Sequence, residues 1–98
     1  MSRADFTIRL LSDVQAIFGA FETDKLLSRQ LVEALTRMAE RPWREIRRGG
    51  AINELWLAQQ LSAFGIQSRT MRIGDSVGRG YCLEDFTDAF GRYLPRAG

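Results

Sequence analysis

Between residues 6 and 21 the large apolar side chains Phe6, Leu10, Leu11, Val14, Ile17, Phe18 and Phe21 recur at spacings of three, four and seven. This interval puts them on one stripe of an α-helix, with Arg9, Asp13 and Glu22 off it. A second helix is predicted over 28–40. Ser28 supplies a hydroxyl to cap the free amides of Arg29 to Leu31, and Leu31, Ala34, Leu35 and Met38 face inward. Arg41-Pro42-Trp43 ends it, because the residue before proline is driven out of the helical region while proline opens a new turn. Trp43 to Arg48 fits one short helical turn or a short strand, and Gly49-Gly50 closes that segment.

A third helix, over 53–64, has two unlike faces. Leu57, Ala58, Leu61 and Phe64 share the core side and lead into Ile66, whereas Leu55, Trp56, Gln59, Gln60, Ser62 and Ala63 occupy the other. Gly65 fits the position after a helix where a left-handed residue closes the last turn. Over 68–82 a hairpin follows, with Arg69, Met71 and Ile73 alternating against Thr70 and Arg72, a glycine-rich loop from Gly74 to Gly80, and a return through Tyr81 and Cys82. Glu84 and Asp85 favour the start of a fourth helix over 84–94. Its apolar stripe is Phe86, Ala89, Phe90 and Tyr93, and Leu94-Pro95 ends it. Helix, helix, helix, hairpin, helix is a mainly α pattern: a winged helix-turn-helix with an extra helix at each end, in one domain over 1–98.

Composition narrows the chemistry. With 98 residues and 45% apolar content the chain can bury one modest core. No run of about 18 apolar residues is present, nor an apolar leader, so the expectation is a soluble, cytoplasmic protein with no membrane contact. The first helix has no basic stripe on its polar face, which argues against a membrane-surface role. Histidine is absent and Cys82 is the single cysteine, which excludes cysteine/histidine zinc sites and an internal disulfide. Cys82 reads as a small core residue. The missing histidine also removes the commonest general base, and no acid pair stands in for it. No catalytic residue, metal or cofactor is therefore assigned, and the chain is read as a non-enzyme. The glycines at 74, 78 and 80 match neither the dinucleotide fingerprint nor the phosphate-binding loop, and they read as a hairpin turn.

Charge supplies the positive signal. Net charge is +2, yet Arg41, Arg44, Arg47, Arg48, Arg69, Arg72 and Arg79 stand against Glu45, Glu54 and Asp75 in one segment, a local +4. Phosphate binding needs such clustering, so Arg44, Arg47, Arg48, Arg69, Arg72 and Arg79 are candidate contacts to a DNA backbone. The alternative is pairing of Arg44, Arg47 and Arg69 with Glu45, Glu40 or Asp75. Asn53, Gln59 and Gln60 are candidate base readers, with helix capping an alternative for Asn53. No cation stands between Asn53 and Ser68, unusual for a helix seated among phosphates. Leu55 and Trp56 suit a protein contact or a homodimer instead, with packing of Trp56 under the first helix the structural alternative.

Leu31 and Leu35, then Arg41-Pro42-Trp43, Leu57-Ala58, Leu61, Phe64-Gly65-Ile66, Arg72, Gly80-Tyr81, Asp85-Phe86, Ala89-Phe90 and Tyr93-Leu94 form a pattern over nearly the whole chain. It resembles the C-terminal domain of phage, plasmid and genomic-island primase-helicase proteins. The resemblance implies a winged helix beside an ATPase or primase portion, in the same or another chain, whose motifs are absent here. It implies a core of Leu57, Ala58, Leu61, Phe64, Ile66, Tyr81, Phe86, Phe90 and Tyr93, and Arg69, Arg72 and Arg79 on the wing. Leu55-Trp56 departs from the polar or basic residues expected on the third helix. The expected function is a DNA-binding accessory module of a mobile-element replication protein, gripping duplex or forked DNA.

Overall fold

The computed structural model describes residues 3–38, Trp43 and residues 52–94, with side chains from Ile8 onward. In chain order these residues form α1 (Arg3–Phe21), β1 (Lys25–Leu27), α2 (Ser28–Thr36), α3 (Glu54–Ser62), β2 (Arg69–Ile73), β3 (Ser76–Cys82), a 3₁₀ turn (Leu83–Asp85) and α4 (Thr87–Tyr93). The strands make one antiparallel sheet in the order β1-β3-β2. Among the described residues the fold thus mixes four helices with a three-stranded sheet. The mainly α pattern with a lone hairpin needs this correction.

β1 is the strand that periodicity does not reveal. Lys25-Leu26-Leu27 is too short to alternate visibly, and both leucines are buried, one on each face of the sheet. Its place depends on Gly80 of β3, which pairs with Leu27. A Cβ on Gly80 would lie 2.6 Å from the Leu26 carbonyl oxygen and 2.7 Å from the Met71 sulfur, so only glycine admits the three strands at this spacing. Gly78 and Gly80 accordingly belong to a strand, not to the loop in which they were expected. The hairpin loop is only Gly74-Asp75, closed by the Ile73–Ser76 pair, with Gly74 at φ +61°. A leading glycine of positive φ is the signature of a tight turn that matches strand twist.

Helix ends show how neighbours shift local signals. Leu27 is extended as part of β1, so Ser28 becomes the first helical residue and is buried; the Leu27 amide is instead met by Gln30 Oε1 at 2.8 Å. α2 ends at Thr36, and residues 39–40 of its expected extension lie outside the described residues. α3 ends as expected: Gly65 has φ +78°, its amide donates to the Ser62 carbonyl, and the Ile66 amide donates to that of Leu61. α1 ends with the same pair of bonds, from Glu22 to Gly19 and from Thr23 to Phe18, but a glutamate takes the left-handed position at φ +52°. α4 starts at Thr87, because the chain first makes the 3₁₀ turn that carries Glu84 and Asp85.

The core lies between the helices and the base of the sheet. Leu10, Leu11, Val14, Leu31, Leu35, Leu57 and Leu61 are fully buried, each contributing roughly 1.5–3 kcal/mol of transfer free energy. Phe86 joins three elements, with ring centroids 5.6 Å from Phe18, 5.9 Å from Tyr81 and 5.5 Å from Phe90. Ala58 and Phe64 are half-buried at the margin, and Tyr93, expected inside, is exposed and packs edge-on against Phe64 at 5.1 Å. Phe21 is also exposed, at 52%, whereas Asp13, expected on the polar face of α1, is buried at 3%. Its Oδ2 accepts the Trp43 indole N–H at 2.8 Å, so the acid anchors a buried tryptophan. The side chain of Phe6 lies outside the described part.

Candidate nucleic-acid interface

Strand alternation divides the hairpin cations. With Thr70 opposite Arg79 and Arg72 opposite Val77, these four side chains share one face; Arg69, Met71, Ile73, Gly78 and Gly80 share the other. Near the base of the hairpin the first face is covered, for Tyr81 and Leu26 on it are buried. Toward the turn it is open: Thr70, Arg72, Val77 and Arg79 are all exposed. Arg72 and Arg79 are diagonal neighbours across the ladder, a placement that sets Cα atoms about 7–8 Å apart. Neither forms a salt bridge with an acid among the described residues, so two cations stand together on an otherwise neutral ridge.

Arg69 is placed differently. It points from the opposite face and its Nη2 meets Asp85 Oδ1 at 2.7 Å, instead of pairing with Asp75 or standing free for phosphate. Arg44, Arg47 and Arg48 lie outside the described residues. Of the six arginines singled out from sequence, the structure brings Arg72 and Arg79 together on a free face. The alternation of β2 set Arg69 apart from Arg72 in sequence, but neither the register that puts Arg79 beside Arg72 nor the partner Asp85, 16 residues away, was legible there.

α3 offers little for reading bases. Asn53 is the N-cap, its Oδ1 accepting the Trp56 amide at 2.8 Å, so the oxygen that a bidentate contact to adenine needs is already committed. Gln59 is exposed and Gln60 half-buried. The expected Leu55/Trp56 pair is split: Leu55 is 67% exposed, while Trp56 is half-buried with its ring 5.9 Å from that of Trp43. Trp56 therefore belongs to the margin of the core, packed against Trp43.

The Tyr81 phenol is a buried titratable group of the region. Burial pushes its pKa above the ordinary 10.0; the Arg79 charge and the Ser28 hydroxyl oppose the shift, and the Glu54 carboxylate adds to it. The phenol keeps its proton at neutral pH and marks the place where β3, the start of α2 and the start of α3 converge. A separate groove of about 490 Å³ runs between α1 and α2 over Ala16, Ile17, Ala20, Phe21, Ala34 and Met38. Its charged lining residues, Glu33 and Arg37, form an ion pair with each other across one turn of α2 and its end. No helix of the described residues is long and apolar enough to cross a membrane.

Across residues 2–93 the chain matches the family described as "Protein of unknown function (DUF3631)", and it belongs to that family. Among curated proteins and among solved structures none matches it.

Proposed function

We propose that this protein is a winged-helix module that holds DNA by its backbone, without catalysis. The order α1, β1, α2, α3, β2, β3, with a sheet in the order β1-β3-β2, supports the winged reading, in which β2–β3 is the wing and α3 stands in the recognition position. The observation that carries the function is the pairing of Arg72 and Arg79 on the open face of that wing. Phosphate contacts position a protein on a duplex without conveying sequence, and an α3 that carries no cation and has Asn53 spent on its cap suits that mode. The resemblance to primase-helicase C-terminal domains supports the setting: an accessory module of a mobile-element replication protein in the cytoplasm, working beside an ATPase or primase portion on duplex or forked DNA.

Binding to a duplex and to a fork, measured across a salt series, tests this. The wild type is expected to lose affinity steeply with salt. Arg72→Ala with Arg79→Ala is expected to weaken binding equally on unrelated sequences and to reduce the salt slope by roughly 2, about 0.9 for each phosphate no longer neutralised. Absence of affinity at low salt would remove the proposal.

Leu55 favours a second reading, a protein-interaction surface on α3. A large apolar side chain exposed on a helix without cations suits a partner or a second copy better than a phosphate backbone. Sedimentation of wild type and Leu55→Ser decides the homodimer form: a monomer mass in both excludes it.

A further inference from the structure

We propose that Arg69 and Asp85 form a latch that sets the posture of the wing, so that Arg69 serves DNA binding as a positioning residue and does not itself touch phosphate. β2 is an edge strand whose ladder partner is β3 alone. The Arg69–Asp85 bridge at 2.7 Å gives β2 a second attachment, to the 3₁₀ turn between β3 and α4. That turn is rooted in the core through the next residue, Phe86, which is fully buried between Phe18 and Tyr81. Asp85 is turned inward, its side chain only 21% exposed and its Oδ2 buried with no hydrogen-bond partner among the described residues, so its placement is set from the protein side. Arg69 leaves the sheet on the face opposite Arg72 and Arg79. A rigid hairpin cannot present both faces to one duplex backbone, and the latch fixes which face is presented.

The role in binding rests on the proposed function, but the latch itself has a test that does not. Hydrogen exchange of the β2 and β3 amides is compared in wild type, Arg69→Gln, Asp85→Asn, the double variant and Arg69→Lys. Each of the first two substitutions is expected to speed wing exchange by about two- to fivefold, the range for a partly exposed ion pair, while α1 and α2 stay protected. The double variant is expected to go no further than either single one, and Arg69→Lys to restore part of the protection. Unchanged wing exchange in both single variants would overturn the latch.

DNA binding by the same variants separates posture from charge. Asp85→Asn deletes a negative charge, so simple electrostatics calls for tighter binding; the latch calls for weaker binding. Arg69→Gln is likewise expected to weaken binding while the salt slope stays that of wild type, because the number of phosphates neutralised is unchanged. Equal or tighter binding by Asp85→Asn, or a slope reduced by about 1 in Arg69→Gln, would overturn the positioning role. If the wild type binds no DNA, the proposed function falls and the exchange measurement alone judges the latch.

Discussion

Glu22 holds a backbone conformation that its side chain disfavours, and the reason is the turn it closes. A left-handed φ costs an ordinary residue about 1–2 kcal/mol, and glycine returns part of that relief through its greater freedom in the unfolded chain. Glu22→Gly is therefore expected to stabilise the protein by about 0.5–1 kcal/mol, seen as a rise in Tm of roughly 2–6 °C. Tyr81 gives a pH signature. Because burial raises its pKa above 10.0, the folded state holds the phenolic proton more tightly than the unfolded chain. This stabilisation is complete below about pH 10 and is lost as pH rises through the folded-state value. Urea titrations from about pH 8 to 11 should show stability falling above about pH 10, with Tyr81→Phe removing that part of the slope. Glu22 did not advertise itself in sequence, where it looks like a solvated acid after a helix; its strain comes from the turn it closes. The burial of Tyr81 was implied by the family resemblance, but the neighbours that act on its phenol were not.

Among elements, the sheet depends on one glycine. Gly80→Ala would place a methyl 2.6 Å from the Leu26 carbonyl oxygen, and backbone cannot yield as a side-chain tip can. The expected cost is about 3 kcal/mol, the upper end for overpacking, accompanied by loss of exchange protection in β1. Gly78→Ala makes the contrast, since its added methyl meets only Leu27 Cδ2 at 3.9 Å and is expected to change stability within about 0.5 kcal/mol. Chemical denaturation of the two variants checks both. Helical stripes in α1 and α3 were legible because apolar spacing of three and four needs no knowledge of partners. Gly65 was legible too, since a left-handed close after a helix is a local demand. The strand Lys25–Leu27 was not, because three residues carry no period and its pairing is with residues more than fifty positions away. Ser28 illustrates the same limit: a good cap by type, it was displaced when the residue before it joined a strand.

Taken whole, the described residues form a core between the helices and the base of the sheet, with a short hairpin exposed toward its turn, and the proposed DNA-binding function depends on what that hairpin shows. The local +4 segment pointed to backbone contacts, and the salt-slope experiment with Arg72→Ala and Arg79→Ala asks whether two adjacent cations suffice to make binding electrostatic. The DUF3631 family assigns no activity, and the β2–β3 hairpin is the part of the chain from which the proposed function is argued. From the order of residues alone one could obtain the helices, the hairpin, the absence of a histidine-based site and the existence of arginines at its edge. These follow from periodicity, turn chemistry and counting, which act within a few residues. The tertiary packing settled the rest: a third strand, Trp56 drawn against Trp43, Asp13 taken inside to meet an indole, and Arg69 tied to Asp85. Each of those outcomes depends on a partner distant in the chain or on the geometry of a neighbouring element, and no local pattern encodes where such a partner will stand.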